Sequence, residues 1–155
     1  MKKARIYLDT SVIGGCLDEE FQLPSRRLIK GFKQGRAIIV ISNLTRFELD
    51  KSPPAVRAFL DDIPNVYQEV VQLTTEANEL ALAYIREGVV KEAQLVDAQH
   101  IAVATLHRVD VLVSWNFKHI VNLGKIRGYN SINLRRGLPW LEIRTPQEVI
   151  LDEKN

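Results

Sequence analysis

The chain of 155 residues contains one cysteine, Cys16, so an intrachain disulfide and a cysteine-only zinc site are both excluded. Its histidines, His100, His107 and His119, match no zinc-finger spacing. Repeats, low-complexity runs and linker-like stretches are missing. No apolar run approaches the roughly twenty residues that a bilayer-spanning helix needs. The basic opening Lys2-Lys3-Ala4-Arg5 leads into a strand-like segment and not into a signal-peptide core. The expectation is therefore a protein of the reducing cytoplasm with no membrane association. A Gly-rich phosphate loop after a strand, which a nucleotide-binding fold would carry, is also lacking. One last absence is local: residues 111–141 include no Asp or Glu, yet hold Lys118, Lys125, Arg127, Arg135 and Arg136, with His119 and several aromatics. Against a formal net charge of only +2, this is a one-sign region. It reads either as a solvated face balanced by acids elsewhere in space, or as a surface that tracks a phosphate backbone.

What is present is enough apolar sequence, 46%, for one buried core and too short a chain for two domains, so residues 1–150 read as a single domain and residues 151–155 as a polar tail. Ile6-Tyr7-Leu8 reads as a buried strand closed by Asp9, after which Thr10 and Ser11 offer capping oxygens and Gly14-Gly15 interrupts a short helix. An amphipathic helix starts at Pro24-Ser25 and ends near Gly35. Ala37-Ile38-Ile39-Val40-Ile41 is a second strand of the buried, parallel type. Ser42 and Asn43 then cap a helix over residues 44–50 that carries Glu48 and stops at Pro53-Pro54. A further helix holds Val56, Phe59 and Leu60, and residues 66–73 form a third strand. The next helix runs from Thr74 to Gly88, and residues 91–108 form another with Ala98, Ile101, Ala102 and Thr105 on one face. Val111-Leu112-Val113-Ser114 is a strand with Asn116 just beyond it, residues 120–140 read as irregular, Leu141-Glu142-Ile143 is a last strand, and Pro146 begins a short helix. Alternating strands and helices define an α/β domain with a central, mostly parallel sheet.

Three acids lie where such a sheet gathers ligands, beyond the carboxyl ends of its strands. Asp9 follows the first strand, Glu48 lies in the helix after the second, and Asp97 opens the small-residue face of the 91–108 helix. Separately each has a plain reading: Asp9 as a helix cap, Glu48 as a solvent-facing acid, Asp97 as a salt-bridge partner of Arg5 or Lys91. Together they are expected to meet at metal-coordinating distance, because like charges raise one another's pKa unless a cation compensates them. Mg²⁺ or Mn²⁺, which take oxygen ligands, fit such a set, and the chemistry calls for carboxylates and not histidines. An Asp-x-Asp phosphatase is disfavoured because Ser11 stands where its second acid belongs.

These motifs resemble those of the PIN-domain family, and within it the VapC-like toxin ribonucleases. The likeness rests on Tyr7-Leu8-Asp9-Thr10-Ser11-Val12-Ile13, on Glu48, on Asp97-Ala98-Gln99-His100-Ile101-Ala102-Val103-Ala104, on Asp110-Val111-Leu112-Val113-Ser114-Trp115-Asn116-Phe117-Lys118-His119, and on Thr145-Pro146-Gln147-Glu148-Val149. The resemblance implies a three-layer α/β/α domain that hydrolyses RNA phosphodiester bonds with Mg²⁺ or Mn²⁺. It carries Asp9, Glu48 and Asp97 over as metal ligands, with support from Thr10 or Ser11. Many members place a fourth acid where this chain has Asn116, which would offer a neutral carbonyl oxygen to the catalytic set. The resemblance further implies a cognate antitoxin protein and a homodimer, whose interface the apolar segments around 56–60 and 80–85 would supply unless they are core. The alternative is a PIN domain that has lost activity and binds RNA or protein.

Overall fold

In the computed structural model, which describes residues 2–151, five short strands form one wholly parallel sheet in the order β3-β2-β1-β4-β5. They are β1 (Arg5–Leu8), β2 (Ile38–Ser42), β3 (Gln68–Val71), β4 (Val111–Val113) and β5 (Ile143–Arg144). In the middle of the sheet Tyr7 pairs with Val40 on one side and Leu112 on the other. Parallel pairing requires a crossover after every strand. Here the crossovers are α1 (Thr10–Gly15) with α2 (Gln22–Lys33), α3 (Asn43–Asp50) with α4 (Pro54–Asp61), α5 (Thr75–Arg86) with α6 (Leu95–Leu106), and α7 (Leu123–Arg135).

Side-chain alternation along the strands divides the core into two halves. Tyr7, Val40, Val71, Leu112 and Ile143 point to a layer built on α5, α6 and α7. Ile6, Leu8, Ile39, Ile41 and Val113 point to the opposite layer, with residues of α1, α2, α3 and α4. Burial on both faces explains why β2 reads as an unbroken apolar run. The result is the three-layer α/β/α sandwich expected from the motifs. Cys16 is buried in the second layer, and burial pushes its thiol up to about 11, which leaves it unreactive.

The elements depart from the sequence reading in several places. Residues 120–140 are mostly helical: α7 forms despite Gly124 and Gly128 because its buried side, with Tyr129, Ile132 and two asparagines, is tied into the fold. Gly128 is there for space, since a Cβ would sit 2.9 Å from Val89 Cγ1. The 91–108 helix is two pieces, a 3₁₀ turn over Glu92–Gln94 and then α6, with Gln94 Oε1 accepting from the Lys91 N–H. β5 begins at Ile143, and the short helix expected from Pro146 is a turn closed by Glu148, whose Oε1 accepts from both the Thr145 N–H and its hydroxyl. Leu151, assigned to the tail, packs against Gly31 of α2, and residues 152–155 lie outside the described part. Of the segments offered as a dimer interface, 80–85 is mostly core, with Leu80, Ala81, Ala83 and Tyr84 buried, whereas in 56–60 Val56 is buried and Phe59 and Leu60 remain partly exposed.

Candidate functional site

The strand order reverses direction between β1 and β4, and an α/β sheet opens its ligand crevice at that switch point, beyond the carboxyl ends of the strands. Asp9 directly follows β1 and Ser114 directly follows β4. Asp9 stands at the N-cap position of α1 but makes no side-chain cap bond, so capping is not what its carboxylate does. Its two oxygens instead accept hydroxyls from opposite sides, Ser11 Oγ to Oδ1 at 2.6 Å and Ser114 Oγ to Oδ2 at 2.6 Å. Ser11 Oγ also accepts the Trp115 N–H, and Ser114 Oγ the Asn116 N–H. The two loops are thereby stitched together around one carboxylate that is only 5% exposed.

Glu48 reaches the same edge from α3. Thr10 Oγ1 donates to its Oε1 at 2.8 Å, and His100 Nε2 lies 2.8 Å from the same oxygen. His100 is the residue that the sequence reading passed over. It is buried on α6, its Nδ1 lies 2.6 Å from the Tyr7 hydroxyl, and that hydroxyl lies 2.7 Å from Ser42 Oγ. A consistent assignment has Ser42 donating to Tyr7, Tyr7 to His100 Nδ1, and His100 Nε2–H to Glu48. Position alone carried a signal: His100 is three residues after Asp97 and so belongs on the same side of α6.

Asp97 sits in the first turn of α6, half-buried, with the Asn116 side chain near enough to favour its charged form. Asn116 Oδ1 accepts the His119 N–H at 2.9 Å, so the oxygen expected to face a metal closes the turn after β4 instead. Neither proposed salt bridge to Asp97 forms: Arg5 grips Glu69 with two hydrogen bonds, and Lys91 lies in the loop before α6.

The electrostatics tie the acids together. Burial first, and then the charge of Asp97, raise the Asp9 carboxyl above its ordinary value, against the opposing pull of His100 and the two serine hydroxyls. Burial and the charge of Glu48 raise Asp97, against His100, His119 and the Asn116 hydrogen bond. Burial works in the same direction on Glu48, but the hydrogen bond and charge of His100, the Thr10 hydroxyl and Lys51 outweigh it, and Glu48 ends below its ordinary value.

The three acids therefore share one edge and one field. They do not stand as a closed cage: among the described residues no group of three or more His, Cys, Asp or Glu is placed to hold a metal ion. Two of the carboxylates have donors of their own, the Ser11 and Ser114 hydroxyls for Asp9 and Thr10 with His100 for Glu48. The donor set still fits a hard divalent ion, because it is all oxygen and two of its acids are held above their normal pKa, chiefly by burial and then by a neighbouring carboxylate.

The basic residues divide into two groups. Lys118 and Lys125 line a cavity beside His119, close to Asp97. Arg127, Arg135 and Arg136 lie exposed along α7, and the last two are roughly 12–14 Å beyond Arg127 at 1.5 Å per residue. Arg135 is also paired with Glu87 at 3.0 Å.

No family model matches the chain, and no curated protein matches it in sequence. Solved structures do match. VapC20 of Mycobacterium tuberculosis, a toxin that cleaves the sarcin–ricin loop, superposes with a TM-score of 0.55 at 19% identity, covering 74% of this chain and 92% of that one. VapBC2 from Rickettsia felis, bound to a DNA fragment from its promoter, gives 0.55 at 14% identity over 91% of this chain and 98% of that one. A toxin–antitoxin complex from Klebsiella pneumoniae gives 0.54 at 18% identity over 77% and 93%. At these identities the likeness establishes the fold: the chain has the three-layer architecture of VapC toxins.

Proposed function

We propose that this protein is a divalent-metal-dependent endoribonuclease of the VapC type, with Asp9, Glu48 and Asp97 as the residues that hold the ion. The observation that supports this reading is that three acids from three separate elements lie along the switch-point edge of the sheet, two of them raised in pKa chiefly by burial. When bound, Mg²⁺ or Mn²⁺ supplies the missing charge, polarises a phosphoryl oxygen and makes water nucleophilic at neutral pH. The protein's part is preorganisation. Ser11 and Ser114 fix the Asp9 carboxylate, Thr10 and His100 fix Glu48, and Asn116 lies beside Asp97. Asp9 and Glu48 are oriented before substrate arrives, so little reorganisation remains for the reaction itself.

The solved structures that share the fold include complexes with antitoxins, which supports a small antitoxin protein as partner. A homodimer in the cytoplasm completes the proposal. Asn116 favours a second reading, a binding module of low activity, because it adds no charge and its oxygen is already engaged. One experiment decides between them. Cleavage of single-stranded RNA that requires Mn²⁺ or Mg²⁺ and is lost with EDTA and in Asp9→Asn supports the nuclease; RNA binding without cleavage under every metal condition supports the binder.

A further inference from the structure

A cavity of about 360 Å³ opens beside the acids, walled by Gly88, Val89, Val90, Lys91, Gln94, Lys118, His119 and Lys125. Its three lysines come from three separate segments: the loop after α5, the turn after β4 and the first turn of α7. No acid lines it. By contrast, the cavity between α3 and α4 sets Asp50 and Asp61 beside Arg46 and Arg57 and is balanced within itself. Among the described residues neither Lys91 nor Lys118 forms an ion pair, whereas Arg5, Lys33, Arg135 and Arg144 all do. Drawing like charges into one concavity costs stability unless an anion shares it. Lys125 is anchored there, since its Nζ donates to the Val89 carbonyl at 2.6 Å and keeps its other two protons for a ligand. The wall is continuous with the acid cluster: His119 is bonded through its N–H to Asn116, and Asp97 feels the His119 charge.

We propose that this cavity is a subsite for a phosphodiester group of the substrate strand, next to the bond being cut, with Lys91, Lys118 and Lys125 as its cationic ligands. The inference rests on the nuclease reading of the neighbouring acids and names where the strand continues. A phosphate carries the charge the lysines lack, and the volume, at the lower end of the roughly 300–1,000 Å³ of small-ligand sites, suits a phosphate with its ribose. The alternation of acids and lysines also sets direction: one phosphate lies at the acids, the next among the lysines.

The test uses binding without turnover. The affinity of a short fluorescein-labelled single-stranded oligoribonucleotide is measured by anisotropy in EDTA across a salt series, for the whole protein and for the triple variant Lys91→Gln, Lys118→Gln, Lys125→Gln. Losing three phosphate-facing cations should flatten the log–log salt slope by roughly 2, at about 0.7 per charge on a single strand. Arg27→Gln with Lys30→Gln, on α2 in the other layer, should leave the slope as it is. Oligonucleotides that each carry one neutral methylphosphonate linkage then locate the contact. One linkage should weaken binding to the native protein and have no effect on the triple variant. An unchanged slope, or a triple variant as sensitive to that linkage as the native protein, overturns the subsite. A chain that shows the linkage effect but never cleaves RNA with Mn²⁺ keeps the subsite and loses the nuclease reading.

Discussion

Asp9 shows how one side chain can be costly to the fold and central to the site. It is almost fully buried, accepts only neutral hydroxyls and is raised in pKa by burial and by Asp97. Asp9→Asn removes the charge while keeping the shape, so it should raise the melting temperature of the metal-free protein while abolishing cleavage. Each unit by which the carboxyl is raised corresponds to about 1.4 kcal/mol. A variant less stable than the native protein in EDTA would show that the charge is already compensated. His100 presents the opposite case. It joins Tyr7 to Glu48, and His100→Ala leaves the buried Tyr7 hydroxyl without its acceptor and Glu48 with Thr10 as its remaining donor. A loss of about 1–3 kcal/mol is expected for the unsatisfied group. Calorimetric titration with Mn²⁺ should also show weaker binding, because Glu48 is then held by Thr10 alone. Unchanged metal affinity in a folded His100→Ala protein would reduce His100 to a packing residue.

Among the elements, α7 depends most on polar pairing. Asn130 is fully buried, and its Nδ2 donates to the Leu141 carbonyl while its Oδ1 accepts the Leu141 N–H. The side chain thus mimics a strand partner at the entry to β5. Asn130→Ala leaves both backbone groups of Leu141 without that partner and should cost about 2–6 kcal/mol, at about 1–3 kcal/mol for each unsatisfied group. Chemical denaturation measures it, and a loss below about 1 kcal/mol would mean that water or a shifted loop replaces the amide. On the other layer, Gly15 of α1 lies so near Ser25 and Trp115 that an added Cβ would fall 2.7 Å from Ser25 Oγ and 2.9 Å from Trp115 Nε1. Gly15→Ala should therefore push Trp115, and the Asn116 that follows it, out of register with Asp97. Activity should drop further than stability does.

At the scale of the molecule, acids with opposite shifts shape the pH dependence of stability. Glu69 is held low by the hydrogen bond and charge of Arg5, against burial, and Glu48 is held low as described, so both contribute stability above the ordinary Glu value that is lost as pH falls through their folded pKa values. Asp9 and Asp97 are raised, so the folded state holds their protons more tightly than the unfolded chain does. Their contribution is complete below the ordinary Asp value of about 3.9 and is lost as pH climbs through their raised folded values. In EDTA, the native protein should lose stability relative to Asp9→Asn/Asp97→Asn over that upper window. Saturating Mn²⁺ should largely remove the deficit by occupying the folded state. A difference between the two proteins that stays flat with pH would mean that the acids are not electrostatically frustrated.

The layered α/β class, the positions of β1, β2 and β4, and the identity of three acids at strand or helix ends were all present in local sequence, because apolar periodicity and capping residues act over a few neighbours. The motif likeness extended this to the sandwich itself. Local sequence misled where long-range contacts overrode propensity. Residues 120–140 look broken because glycines and asparagines disfavour helices in isolation, yet Asn130 and Asn133 are satisfied inside the core and Gly128 makes room for Val89. The site divides along the same line. That Asp9, Glu48 and Asp97 reach one edge followed from their places after strands and on α6, and the motif likeness pointed to Thr10 and Ser11 as the supporting hydroxyls, but the donors from distant segments were not legible. Those partners are Ser114 for Asp9, 105 residues away, and His100 for Glu48, 52 residues away. Only the parallel sheet, by setting β4 beside β1 and α6 across them, brings these groups within hydrogen-bond reach.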